Sequence, residues 1–158
     1  MTKLFVNHRT YEIEIEPHEI LADVLYKKLG LIGVRNSCGK GECGSCTLLL
    51  DGKPVLSCIL LAMQAEGKEI LTIEGLGTHD HLHPIQEAFI EEHGFQCGFC
   101  TPGVILSASS LLKANPKPSA SDVGKALSGH ICRCGAYPKI INSVLRAAEK
   151  LDDDYVEK

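Results

Sequence analysis

Eight cysteines stand in two groups of four, and their spacing is where this chain could do chemistry. Cys38, Cys43 and Cys46 follow a C-x4-C-x2-C pattern, and Cys58 comes after eleven intervening residues. This is the plant-type spacing by which thiolates enclose a [2Fe-2S] cluster. Cys97 and Cys100 form one tight pair and Cys132 and Cys134 another, about thirty residues downstream, so the second group has a different geometry built from the same ligand. Iron bound this way transfers single electrons, and two such sites in one chain suggest a relay.

Two other uses of cysteine compete with this reading. Disulfide scaffolds are short, cysteine-dense and secreted. Here eight cysteines in 158 residues amount to about 5%, below the level of such scaffolds, and the start MTKLFVNHRTYEIEIE has no basic segment leading into an apolar run. Cys132 and Cys134 are also too close for an easy intramolecular bridge. Zinc is the stronger competitor, because four-cysteine zinc sites usually come as two C-x2-C knuckles. Three cysteines in one glycine-rich loop with a distant fourth speak against zinc in the first group. For the second group taken alone, spacing leaves zinc and iron–sulfur both open.

The loop 37–46, SCGKGECGSC, has a physical rationale. Three thiolates must converge, so the backbone has to wrap closely round an inorganic core, and glycine permits both positive φ and close approach. Backbone N–H groups then face the anionic sulfur and favour the reduced, more negative state. Lys40 and Glu42 read as solvated loop surface, with a place on a partner's face as the other possibility. In the second half, each cysteine pair sits just before an expected helix, where the positive end of the macrodipole favours an anionic group. Arg133 reads equally as a local counter-charge or as an exposed connector.

The elements that position these loops can be read from periodicity and turn residues. Residues 4–6 and 11–15 flank Asn7-His8-Arg9 as a hairpin, the second strand alternating apolar and charged side chains. Ile20, Leu21, Val24, Leu25 and Leu29 recur at helical spacing and Gly30 supplies a stop. Residues 47–50, Asp51-Gly52 and 53–56 predict a second hairpin, and 69–73 a further strand. Strand pair, helix, cysteine loop, strands is a β-grasp order. The run 75–83 breaks the periodicity, and the pattern beyond it turns helical. Helices are expected over 84–93, over 102–113 with Thr101 as cap, from Ser121 as cap to 128, and over 138–151. Apolar stripes such as Val104, Ala108, Leu111, Leu112 and Ile141, Val144, Leu145, Ala148 belong to the core of a bundle. The expected organisation is α+β: an N-terminal β-grasp, ferredoxin-like domain over 1–76, a linker at 77–83 and a C-terminal all-α four-helix-bundle domain over 84–158.

Composition excludes several other functions. A net charge of −4 and no basic run argue against nucleic acid. No stretch reaches the roughly eighteen apolar residues of a membrane span, so the expectation is a soluble, cytoplasmic protein. His79, His81 and His83 alternate in the linker, but with only Asp80 as a neighbouring acid they read as solvated residues. No serine nucleophile or phosphate loop stands out.

The string Gln96-Cys97-Gly98-Phe99-Cys100-Thr101-Pro102-Gly103, with Cys132-Arg133-Cys134 downstream and the ferredoxin-type loop upstream, closely resembles the iron–sulfur subunit of the molybdenum hydroxylases, the xanthine dehydrogenase family. The resemblance covers nearly the whole chain and both cysteine groups in order. It implies one [2Fe-2S] cluster on Cys38, Cys43, Cys46 and Cys58, lying toward a flavin. It implies a second on Cys97, Cys100, Cys132 and Cys134, beside a molybdopterin cofactor. It further implies that Gln96 hydrogen-bonds the pterin and that Cys134 both ligates iron and contacts the pterin. One departure is Gly135-Ala136-Tyr137, where the family commonly has Thr-Gly-Tyr. The expected function is electron transfer from molybdenum through the helical cluster to the ferredoxin-like cluster and on to FAD or another acceptor. The chain has neither the length for a molybdenum domain nor a nucleotide-binding glycine motif. The implied partners are therefore a molybdopterin-binding large subunit and an FAD-binding medium subunit, assembled as a dimer of heterotrimers. A free-standing two-cluster ferredoxin is the alternative, disfavoured by Gln96 and the second cysteine group, and a structural zinc protein comes after it.

Overall fold

A computed structural model describes residues 1–156. The first half is a five-stranded mixed sheet formed by β1 (Thr2–Val6), β2 (Arg9–Ile13), β3 (Thr47–Leu50), β4 (Lys53–Leu56) and β5 (Glu69–Leu71), in the order β2-β1-β5-β3-β4. β1 and β5 are parallel and the other pairs antiparallel, which is the β-grasp arrangement expected from the element order. Alternation decides which face is buried: Thr2, Leu4 and Val6 of β1 point inward while Lys3 and Phe5 face out. Both hairpins turn on two residues of positive φ, Asn7-His8 and Asp51-Gly52, whose twist matches the flanking strands. The first turn is narrower than expected, since Arg9 already belongs to β2. Asn7 then ties the turn to the end of β5, donating from Nδ2 to Thr72 Oγ1 and accepting from Thr72 N–H, both at 2.9 Å.

The expected helix after β2 is present but wound in two ways. α1 (Leu21–Asp23) runs directly into a π-helical turn, Val24–Lys28, in which Leu29 N–H reaches back five residues to Val24 O at 3.3 Å. Leu21, Ala22, Val24 and Leu25 are buried against the sheet. Two short 3-10 turns, Ser57–Ile59 and Ala62–Ala65, carry the chain from β4 back toward β5. The strand expected over 69–73 ends at Leu71, because Ile73 opens a short helix, α2 (Ile73–Leu76). Ile73 and Leu76 pack on the core of the second half.

That second half is a bundle of α3 (Pro84–Glu91), α4 (Thr101–Ala114), α5 (Ala120–Ala126) and α6 (Tyr137–Val156). Ile85, Ala88, Phe89, Val104, Ala108, Val123, Val144 and Ala147 form its core. The starts of α4 and α5 differ from the sequence reading, and α3, which begins at Pro84 as expected, has an unexpected cap. His83 does not lie free in the linker: its Nδ1 accepts the N–H of Ile85 at 3.3 Å and caps α3. Thr101 is the first helical residue of α4, and Cys100 takes the cap position. Ser119, not Ser121, caps α5, its Oγ accepting Asp122 N–H while the Asp122 carboxylate accepts Ser119 N–H. This reciprocal box satisfies two donors, which a cap at Ser121 would not do.

α4 joins the two halves. Leu106 is buried in the core of the sheet, whereas Val104, Ile105, Ala108 and Leu112 of the same helix lie in the core of the bundle. Burying a leucine side chain contributes roughly 1.5–3 kcal/mol. Ser110 Oγ adds a hydrogen bond to Gly52 O at 3.1 Å, fastening the β3–β4 turn to the helix.

Candidate iron–sulfur centres

The loop between Gly30 and β3 has no regular structure and is shaped by glycines of positive φ at Gly39, Gly41 and Gly44. It folds back so that the N–H groups of Lys40 and Glu42 both donate to Cys38 Sγ, each at 3.4 Å. Those N–H groups, with that of Cys43, bring the Cys38 thiol down to about 6. Cys58 enters from the 3-10 turn after β4 and is buried, which pushes its thiol up to about 11. Ser57 Oγ donates to Cys46 O at 2.7 Å and holds the two segments together.

The second group sits where two helix entries meet. Cys100 occupies the cap position of α4 without a capping side-chain bond, and burial pushes its thiol up to about 12. Cys97 is exposed, and its thiol is lowered chiefly by the backbone N–H of Phe99 and then by Cys134, with the charge of Arg35 adding to the effect. Cys132 is partly buried. Burial raises its thiol, but the N–H groups of Ala136, Cys134 and Gly135, together with Cys100, outweigh this and lower it.

Within each group the thiols meet two by two: Cys38 with Cys43, Cys46 with Cys58, Cys97 with Cys134, and Cys100 with Cys132. All eight are free. Among the described residues, no three His, Cys, Asp or Glu side chains are grouped closely enough to hold one metal ion. A single tetrahedral zinc needs all four ligands at one point, while a binuclear cluster takes two thiolates at each of two irons. The arrangement fits two binuclear clusters, with backbone N–H groups already turned toward the sulfurs.

Each group also has an inner and an outer pair. Cys46 and Cys58 are buried and Cys38 and Cys43 partly exposed. In the bundle, Cys100 is buried and Cys132 partly so, while Cys97 is exposed and Cys134 partly so. Gln96 adjoins Cys97 in the chain and is exposed, as are Lys40, Glu42 and Arg133. His79 and His81 are exposed, and among the described residues neither joins a group of three side chains able to hold a metal ion; His79 pairs with Asp80 at 3.2 Å.

Several residues that set this geometry carry no motif. Ile131 N–H donates to Cys43 O at 2.9 Å, linking the cysteine loops of the two halves directly. His130 Nε2 lies 3.3 Å from Thr47 Oγ1 on β3 and 3.1 Å from Ser107 Oγ on α4. Burial lowers the His130 pKa and keeps the ring neutral inside this seam. Tyr137 Oη accepts Cys132 N–H at 2.9 Å and donates to His130 O at 3.2 Å, bracing the turn that carries Cys132 and Cys134. Gly44 and Gly103 let the two halves touch: a Cβ on Gly103 would come within 2.5 Å of Gly44 O, and one on Gly44 within 2.6 Å of Gly129 O. The nearest signal in the sequence is the presence of glycine at both contacts.

Comparison with known proteins agrees with this geometry. Residues 4–72 match the family described as a 2Fe-2S iron-sulfur cluster binding domain, and residues 72–145 match the [2Fe-2S] binding domain family. The chain is 40% identical to the iron-sulfur-binding subunit PaoA of an Escherichia coli aldehyde oxidoreductase, over 94% of this chain and 71% of that protein. It is 46% identical to the small subunit of nicotine 6-hydroxylase from Paenarthrobacter nicotinovorans, over 90% of this chain and 86% of that one. A chain of quinoline 2-oxidoreductase from Pseudomonas putida superposes with a TM-score of 0.92 at 41% identity, covering 96% of this chain and 95% of that one. Two consecutive [2Fe-2S] modules, with thiols paired as two binuclear clusters require, and relatives of this kind over nearly the full length place the chain among the iron–sulfur subunits of the molybdenum hydroxylase, or xanthine dehydrogenase, family.

Proposed function

We propose that this subunit relays electrons in one direction, in by the bundle and out by the sheet. Cys97, Cys100, Cys132 and Cys134 hold the entry cluster, and Cys38, Cys43, Cys46 and Cys58 hold the exit cluster. When bound, each [2Fe-2S] cluster stores and passes one electron at a time. The observation that carries the reading is the two-by-two meeting of thiols in both groups, with the outer pair of the bundle, Cys97 and Cys134, beside exposed Gln96.

The chain's own residues prepare each step. Backbone N–H groups directed at Cys38 and Cys97 stabilise negative charge on the outer sulfurs, which favours the reduced state. Buried Cys46, Cys58 and Cys100 keep water from the inner side of each site. Gln96 and Cys134 face the pterin of a molybdopterin-binding large subunit, which performs the hydroxylation. Cys38 and Cys43, at the outer side of the sheet's site, face an FAD-binding medium subunit. A dimer of heterotrimers in the cytoplasm is the assembly this reading anticipates. Among the described residues no helix is long and apolar enough to cross a membrane.

The test is metal analysis with EPR of the dithionite-reduced protein. About four irons per chain and two distinguishable [2Fe-2S] signals are expected. A zinc-filled, EPR-silent protein overturns the reading. Copurification with a large molybdenum-containing chain supports a subunit, and a monomer that reduces unrelated acceptors equally well supports the free carrier instead.

A further inference from the structure

Arg35 lies in the sheet half, three positions before Cys38, yet its side chain serves the other cysteine group. Its Nη1 donates to Gly98 O at 2.9 Å, and its guanidinium lies over the ring of Phe99, 5.3 Å from the centroid. Gly98 and Phe99 are the two residues between Cys97 and Cys100. Gly98 has φ of +77°, so the turn joining those two cysteines is tight, and Arg35 grips it by its backbone and by its one large side chain. No carboxylate pairs with Arg35 among the described residues, so its charge is not neutralised locally. Asp23, an acid lining the cavity that Arg35 adjoins, is engaged with Lys27 at 2.9 Å.

We propose that Arg35 is a positioning residue contributed by the sheet half that sets the reduction potential of the cluster held by the bundle. A cation fixed on the turn between Cys97 and Cys100 stabilises the added electron and raises the potential of that cluster. A raised potential favours uptake of the electron at the entry site. Gripping the turn from the other half means that this field is complete only when the two halves are docked. Arginine suits the position because its planar group can stack on Phe99 and bond Gly98 O at once, which an ammonium cannot do equally well.

The proposal rests on the assignment of Cys97, Cys100, Cys132 and Cys134 as iron ligands, and the experiment separates the two. The full chain carrying its clusters is titrated redox-potentiometrically with EPR detection, and C134S identifies which signal belongs to the bundle. Absence of two [2Fe-2S] signals in the unsubstituted chain overturns the ligand assignment. Given two signals, R35Q is expected to lower the reduction equilibrium constant of the bundle cluster about threefold to tenfold, tenfold being 59 mV for one electron. The sheet cluster is expected to move by less than half as much, and R35K, which keeps the charge but not the planar grip, to shift the bundle cluster less than R35Q does. An unchanged bundle potential in R35Q, an equal shift of both clusters, or an R35K shift as large as that of R35Q overturns the proposal. Should R35Q fail to retain the bundle cluster, F99L decides, because it removes the ring under the guanidinium while keeping both thiols. A fall in potential supports the proposal, and no change overturns it.

Discussion

The amide of Ile131 donates to the carbonyl of Cys43 at 2.9 Å, so the residue next to Cys132 is bonded directly to a member of the other cysteine group. The two sites therefore meet along one seam. Around this bond stand His130 between Thr47 and Ser107, and the close contact of Gly44 with Gly103. A substitution that pushes the two halves apart along this seam should disturb both sites together.

Gly103→Ala is the direct test of the seam. In an ordinary helix interior the change would help by roughly 0.5–1 kcal/mol. Here the added methyl meets the Gly44 backbone, which cannot turn aside as a flexible side chain would. A net loss of about 1–3 kcal/mol is expected from overpacking. Thermal unfolding of the cluster-bearing protein checks it, and a rise in Tm would contradict the contact.

Tyr137→Phe removes the acceptor of Cys132 N–H and the donor to His130 O. The expected loss is about 0.5–1.5 kcal/mol, since water can partly replace a hydroxyl at the surface. Amide exchange at Cys132 should accelerate while exchange within the sheet stays unchanged. Uniform acceleration across the chain would mean that Tyr137 does not act locally.

Substituting single cysteines should divide the spectrum cleanly. Cys58→Ser is expected to remove or distort the sheet signal and leave the bundle signal, and Cys100→Ser to do the reverse. Each should retain about two of about four irons. Loss of both signals in either variant would show that the groups are not independent binding sites.

His83 caps α3 with an unprotonated Nδ1, and burial lowers its pKa from the ordinary 6.5. Folding therefore favours the neutral ring, and the unfolded chain binds more protons once pH drops below 6.5. The cap's contribution is fully present above that pH and is lost as pH falls toward the folded value. His83→Asn, which caps without titrating, should flatten this dependence, with a difference of about 0.5–1 kcal/mol at the acid end. Parallel Tm-against-pH curves for the two proteins would rule it out.

Much of the local design was legible in advance. Cysteine spacing reports ligand geometry because neighbouring ligands must reach the same small core, and Asp51-Gly52 reports a hairpin because few residues accept positive φ. The cap of α5 lies two residues before the expected Ser121: Ser119 and Ser121 offer the same hydroxyl, and only the reach of Asp122 back to Ser119 separates them. His83 caps α3 where a solvated residue is expected, because its partial burial comes from packing beyond the linker itself.

Cysteine spacing, turn residues and apolar periodicity carry the grouping of the eight cysteines into two fours, the order of strands and helices, and the family resemblance. These depend on contacts between residues close in the chain, or on patterns repeated within one element. Packing between distant elements brings the thiols together in pairs, puts α4 in both cores, bonds Ile131 to Cys43, and carries Arg35 from the sheet half to Gly98 and Phe99. Those relationships join residues more than sixty positions apart in the case of Arg35 and Gly98, and they exist only once two separately packed cores have met across the Gly44–Gly103 contact.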